Sequence, residues 1–211
     1  MTNFATVHLA KSTYLVCGGG QSYILDGLKN TVVKKSDSNV ARESFSLALS
    51  PCKRYVFAIG GVDSHDKSLL VASVERYTIE TDSWETVTHL DAPLVGMSVA
   101  TLPDGIYILG GFDPARQVCS KRVIRLDPQS LSLEEMTEMR MARSNFTAST
   151  AASCSQIYAV GGLTDNGGSS RCATETVERY DVRTNRWDVV APMVAAREKH
   201  AACLSTILSD L

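Results

Sequence analysis

Val56-Phe-Ala-Ile-Gly60-Gly61, then Val74-Glu-Arg-Tyr77, then Trp84: these three pieces decide the fold, because they recur. Ile157-Tyr-Ala-Val-Gly161-Gly162, Val177-Glu-Arg-Tyr180 and Trp187 repeat them, with the same seven-residue step from Tyr to Trp. Working outward, an apolar run ending in a glycine pair also occurs at Tyr14-Leu-Val-Cys-Gly18-Gly19 and at Ile106-Tyr-Ile-Leu-Gly110-Gly111. Repeats of this length mark arrays in which each unit buries its faces against its neighbours.

A third landmark ties the four copies to one register. Seventeen residues beyond Tyr180 stands Arg197, and seventeen beyond Tyr77 stands Leu94. In the third copy Leu126 takes the Tyr position and Leu133 the Trp position, with Arg143 seventeen on. In the first, Leu25 and Val32 take those positions, with Arg42 seventeen on. All the length variation lies between the glycine pair and the third strand. A fixed core with one variable loop per repeat puts the insertions on one face, often the binding face.

The local signals are β throughout. Phe45 to Leu49, Phe146 to Thr150 and His200 to Leu204 have the pattern of half-buried strands. Glu80-Thr-Asp-Ser and Asp181-Val-Arg-Thr-Asn carry turn residues between two strands, and Asp127-Pro128 stands at the matching place. Each repeat therefore reads as four short antiparallel strands. A lone four-stranded sheet is marginal, whereas radial stacking covers both faces and leaves only short edges. Gly18, Gly19, Gly60, Gly61, Gly110, Gly111, Gly161 and Gly162 are expected to supply positive φ and close backbone approach. Tyr77, Trp84, Tyr180 and Trp187 are expected to fill the space between sheets.

This combination resembles the kelch repeat, over nearly the whole chain. The resemblance is closest in the second and fourth copies. It implies an all-β, kelch-type β-propeller of about four four-stranded blades plus the first strand of a fifth. The expected repeats run over 1–41, 42–93, 94–142 and 143–196, with a partial unit at 197–211. Kelch propellers usually have more blades, so three explanations stay open: a piece of a larger kelch protein, a four-blade ring sealed by the extra strand, or open edges that pair with another chain.

Composition limits the function. Hydrophobic residues make up 44% of the chain and charged residues 21%, as in a globular protein. The net charge of −2 gives no basic footprint for nucleic acid, and no apolar run is long enough to cross a bilayer. No signal peptide is read at Met1–Lys11, so a cytoplasmic location and reduced thiols are the default expectation. Asn145-Phe146-Thr147 matches an N-glycosylation acceptor, which chance explains.

The kelch resemblance implies a non-catalytic protein-binding module. Many such modules are substrate adaptors of cullin-based ubiquitin ligases; others are actin-associated scaffolds. A few kelch-fold proteins are enzymes, among them a copper oxidase and a sialic acid epimerase. Here His8, His65, His89 and His200 are scattered over different repeat positions, and no cofactor, metal or catalytic residue is expected. Arg42, Arg143 and Arg197 hold one repeat position. In kelch proteins that bind peptide degrons, arginines there line the channel mouth and grip acidic groups, a task suited to the guanidinium fork. The alternative is a framework role on neighbouring carbonyls. Phe112 and Arg116 form a second candidate binding pair in a variable loop, beside the loops at Asp63–Lys67 and Thr164–Arg171. Cys119 and Cys172, at similar positions in adjacent repeats, are candidate neighbours on one face. The expected partners are thus other proteins, an acidic peptide segment among them, with self-association through open blade edges as a further expectation.

Overall fold

The computed structural model describes residues 4–151, 155–165 and 170–202. The described residues form only strands, turns and loops, so no helix is long and apolar enough to cross a membrane. The strands in chain order are β1 (Ala5–Ala10), β2 (Thr13–Gly18), β3 (Gln21–Asp26), β4 (Thr31–Lys35), β5 (Arg42–Glu43), β6 (Ser46–Leu49), β7 (Tyr55–Ile59), β8 (Val62–Asp63), β9 (Ser73–Thr78), β10 (Ser83–His89) and β11 (Ser98–Leu102). They continue with β12 (Gly105–Leu109), β13 (Phe112–Asp113), β14 (Val118–Cys119), β15 (Val123–Leu126), β16 (Leu133–Glu135), β17 (Thr147–Thr150), β18 (Gln156–Val160), β19 (Leu163–Asp165), β20 (Arg171–Ala173), β21 (Val177–Asp181) and β22 (Arg186–Val190).

Four antiparallel four-stranded sheets result, with orders β1-β2-β3-β4, β6-β7-β9-β10, β11-β12-β15-β16 and β17-β18-β21-β22. These are four propeller blades. Each begins with its inner strand, and the inner strands β1, β6, β11 and β17 pack in succession. Between the second and third strands of the third and fourth blades the chain makes the small ribbons β13-β14 and β19-β20, and in the second blade β8, after the second strand, pairs with β5, which precedes the first; these ribbons lie on one face of the array. Of the fifth unit's first strand, expected at His200–Leu204, residues 203 and 204 lie outside the described residues; His200, Ala201 and Ala202 are not in a strand.

The register follows the repeat landmarks. Tyr77 lies between Val56 and Trp84, and Tyr180 between Ile157 and Trp187. Leu126 lies between Ile106 and Leu133, and Leu25 between Tyr14 and Val32. Three apolar clusters form the core, one in each seam between successive blades. Leu15 and Val56 join in the first, Phe57 and Ile108 in the second, Tyr107 and Tyr180 in the third; all six are buried. Each seam buries both of its facing sheets, which supplies the apolar contact that no single blade holds.

The glycine pairs do two different jobs. Gly60-Gly61, Gly110-Gly111 and Gly161-Gly162 all have positive φ, near 60° for the first and 100° for the second. The second glycine then donates its N–H to the next blade: Gly61 to Leu94 O, Gly111 to Arg143 O, Gly162 to Arg197 O. A Cβ on Gly61 would stand 2.4 Å from Glu43 O, so side chains are excluded. In the first blade the register shifts by one residue. Gly18 is extended in β2, and Gly19-Gly20 (φ 58° and 85°) form the two-residue hairpin turn into β3. The expected role of Gly18 thus passes to Gly20, because this blade has no loop between its second and third strands.

Candidate functional site

Arg42 and Arg143 are placed by β5 and by its counterpart in the fourth blade, just before the inner strands. Both side chains are buried. Arg42 donates to Gly60 O (3.1 Å), Ser73 O (3.0 Å) and Ser73 Oγ (3.1 Å) and forms an ion pair with Glu75 at 3.0 Å. Arg143 repeats the pattern on Gly161 O (2.8 Å), Thr176 O (3.2 Å), Thr176 Oγ1 (3.2 Å) and Glu178 Oε1 (2.6 Å). Desolvation lowers the Arg42 pKa, and the Glu75 charge opposes that shift. The terminal nitrogens of both guanidiniums are thus bonded inside the protein, on the neighbouring carbonyls that the framework alternative for Arg42 and Arg143 names, while Nε of each has no hydrogen-bond partner. Arg197 holds the same repeat position near the end of the described residues, where its Nε donates to Ala195 O (3.4 Å).

The third blade explains why Leu94 breaks the arginine pattern. The position of Glu75 and Glu178 is there Ile124, and Leu94 and Ile124 are both buried in one apolar cluster. Arginine and glutamate have been replaced together. The same holds one layer out. Tyr77 donates to Asp82 Oδ1 (2.7 Å) and Tyr180 to Asn185 Oδ1 (2.7 Å), with Trp84 and Trp187 stacked beside them at 5.1 Å. The third blade puts Leu126, Leu131 and Leu133 at these three positions, and Leu131 keeps the left-handed backbone (φ 62°) of Asp82 and Asn185. Removing the hydroxyl together with its acceptor leaves no buried polar group unpaired. The two tryptophans also bridge seams: Trp84 Nε1 donates to Ser36 O (3.1 Å) and Trp187 Nε1 to Thr137 O (2.9 Å), both on the preceding blade. Burial pushes the Tyr180 hydroxyl up to about 12, so it donates at any physiological pH.

A structural element with no readable sequence signal lies beside the arginines. Ser44, Gly96, Asn145 and Lys199 each stand two residues after the arginine position, all with φ between 49° and 62°. Their backbones join blade to blade: Gly96 N–H donates to Ser44 O, Asn145 N–H to Gly96 O, and Lys199 N–H to Asn145 O. Only the shared φ > 0 unites a Ser, a Gly, an Asn and a Lys. Asn145 is thus part of this rung, with Phe146 buried behind it and Thr147 Oγ1 donating to His200 O.

The small ribbons put the variable loops on the same face. Phe112 is half-buried in β13, and the Arg171 guanidinium from the next blade's ribbon lies 4.1 Å from its ring centre. Arg116 is 75% exposed and reaches back to Asp113 at 3.4 Å. The two candidate residues share one face, but the ring of Phe112 is capped by Arg171, a residue the sequence did not single out. Asp165 Oδ2 accepts from Cys119 N–H (2.7 Å) and locks the ribbons of the third and fourth blades together. Cys119 is buried beside Ser144 Oγ (3.4 Å), and desolvation raises its thiol, while Cys172 is exposed on β20. Among the described residues no group of three or more His, Cys, Asp or Glu side chains is arranged to hold a metal. On the opposite face a cavity of about 650 Å³ opens along the axis, lined by Val7, Leu49, Pro51, Val99, Pro103 and Thr150 among others.

The kelch motif matches residues 48–90 and 145–194, the second and fourth blades. These are the two that keep both Tyr and Trp. This is a kelch-repeat chain. Human Kelch repeat and BTB domain-containing protein 2 is 30% identical over 196 residues, 89% of this chain and 29% of that protein. Human Kelch-like protein 34 is 29% identical over 145 residues, 64% of this chain and 22% of that protein. The kelch chain therefore spans less than a third of the length of these relatives. The solved structure of YjhT superposes with a TM-score of 0.78 over 93% of this chain and 67% of that one, at 14% identity, which shows the shared propeller fold.

Proposed function

We propose that these kelch blades form a non-catalytic recognition module that binds an acidic segment of a partner protein through the loop face, in the manner of the substrate adaptors of cullin-based ubiquitin ligases. The observation that carries this reading is the pair of exposed cations on that face, Arg116 and Arg171, which stand on the loop ribbons of adjacent blades. Kelch-repeat relatives that carry a BTB domain support the adaptor role. A rigid sheet array with loops of unequal length on one end suits recognition of one partner among many.

The test is capture from eukaryotic lysate by the 211-residue chain and by a variant with Arg116→Glu and Arg171→Glu. Loss of specific partners in a folded variant supports the loop face; their retention rejects it. Captured proteins whose abundance rises when cullin ligases are inhibited support the adaptor role. Unchanged abundance favours a scaffold, such as an actin-associated one. A second reading, contact with other chains through the first blade, is favoured by Tyr14, Leu25 and Val32. They are 38%, 37% and 64% exposed at the register where Tyr77 and Tyr180 are buried.

A further inference from the structure

The seam between the second and third blades contains a cleft of about 290 Å³ that opens at the outer perimeter. Its floor is Ile124 and Leu133; its walls are His89 and Asp91 from the second blade's end, and Arg122, Glu134 and Glu135 from the third. Leu133 occupies the position that Trp84 and Trp187 hold in the other two seams. There each indole lies across the seam, donates to a carbonyl of the preceding blade, and in the case of Trp187 is 2% exposed. The cleft is thus the berth of a side chain that this blade does not carry.

The walls are fixed. Arg122 crosses the seam to Asp91 through two bonds, 3.1 and 2.9 Å, and also holds Glu135 on its own blade. Glu134 lines the cleft beside Leu133 while its side chain pairs with Arg125 on the other face of the sheet. The Arg122 ties keep Asp91 and Glu135 on the rim and leave an apolar floor between them.

From this we infer that the cleft is a docking site for a tryptophan side chain of a partner polypeptide, which completes the seam in the way Trp84 and Trp187 complete theirs. An aromatic of that size buries roughly 150–250 Å² when enclosed, and an apolar pocket with a few fixed polar groups is the usual form of such an anchor site. The site lies on the perimeter, away from the variable loops, and stands or falls separately from the loop-face reading.

The experiment is a titration of the isotope-labelled 211-residue chain with N-acetyl-L-tryptophanamide, followed by NMR, with N-acetyl-L-leucinamide as the control. The expected result is saturable shifts centred on His89, Ile124 and Leu133, with a Kd on the order of millimolar for so small a probe, and at least fivefold weaker binding of the leucine probe. Leu133→Trp supplies the missing indole from within and abolishes the shifts. Arg122→Ala keeps the floor, unties the walls and weakens binding at least threefold. Absence of saturable shifts in the wild type, shifts confined to other seams, equal binding of both probes, or undiminished binding by folded Leu133→Trp would each overturn the inference.

Discussion

Exchanging Arg42 and Glu75 for the pair that the third blade already uses should separate the cost of breaking a buried ion pair from the cost of not having one. Arg42→Leu alone strands Glu75, which is fully buried and whose carboxylate has Arg42 as its ion-pair partner but no aligned hydrogen bond. Removing one member of a buried pair costs about 3–5 kcal/mol. Glu75→Ile alone leaves a buried guanidinium held only by Gly60 O and the Ser73 oxygens; the expected loss is again about 3–5 kcal/mol. The double variant reproduces Leu94 and Ile124. It removes both charges and leaves two backbone carbonyls without this donor, together with a modest cavity, so its loss is about 1–3 kcal/mol. Each single change thus takes away a large share of the 5–15 kcal/mol that holds a domain together, and the double change takes less than either. Urea unfolding followed by Trp84 fluorescence in the adjoining seam, with circular dichroism as a second probe, measures all four corners of the cycle. Additive losses, with the double variant as damaged as the two singles combined, would refute the argument that the two positions are exchanged only as a unit.

Other expectations follow from the same geometry. Gly61→Ala should lower the melting temperature more than Gly111→Ala, since φ is near 100° in both but the new Cβ meets Glu43 O at 2.4 Å in one and Met97 Cβ at 3.1 Å in the other; the strain of the φ alone is of order 1–3 kcal/mol. Trp187→Ala should cost about 3–5 kcal/mol by emptying a nearly closed seam and freeing Thr137 O, measurable by thermal unfolding. Asp82 is held below its ordinary value chiefly by the Ser36 N–H, and Asp91 by Arg122. A carboxylate with a depressed folded pKa stabilises above its unfolded value and loses that contribution as pH falls through the folded one. Melting temperature should therefore decline as pH drops below about 4, and less steeply in Asp82→Asn.

The fold was legible because its signals are side-chain identities at fixed spacing: the glycine pairs, Tyr and Trp, and the constant step to Arg197. The same pairing occurs in the degenerate copies, where Leu25–Val32 and Leu126–Leu133 pair as Tyr77–Trp84 does. Three things were not legible. The shift of the first glycine pair depends on a loop that is missing, and spacing cannot distinguish Gly18-Gly19 from Gly19-Gly20 in a run of three. The burial of Arg42 and Arg143 depends on Glu75 and Glu178, which lie 33 and 35 residues away; the shared Val-Glu-Arg-Tyr string was visible, but the pairing of its Glu with the arginine was not. The capping of Phe112 by Arg171 depends on how two variable loops meet, and loop lengths carry no information about that.

The backbone rung through Ser44, Gly96, Asn145 and Lys199 has a consequence for how this surface can change. Its bonds use N–H and C=O groups alone, so the scaffold places no demand on the side chains there beyond tolerance of a left-handed backbone. Gly96 is closed to substitution, because the Asn145 carboxamide occupies the space a Cβ would need. At the other three addresses the chain can be rewritten for a new partner while the blades keep their spacing. Specificity can drift at these sites without passing through an unfolded intermediate sequence, which separates the history of what the propeller binds from the history of how it stands.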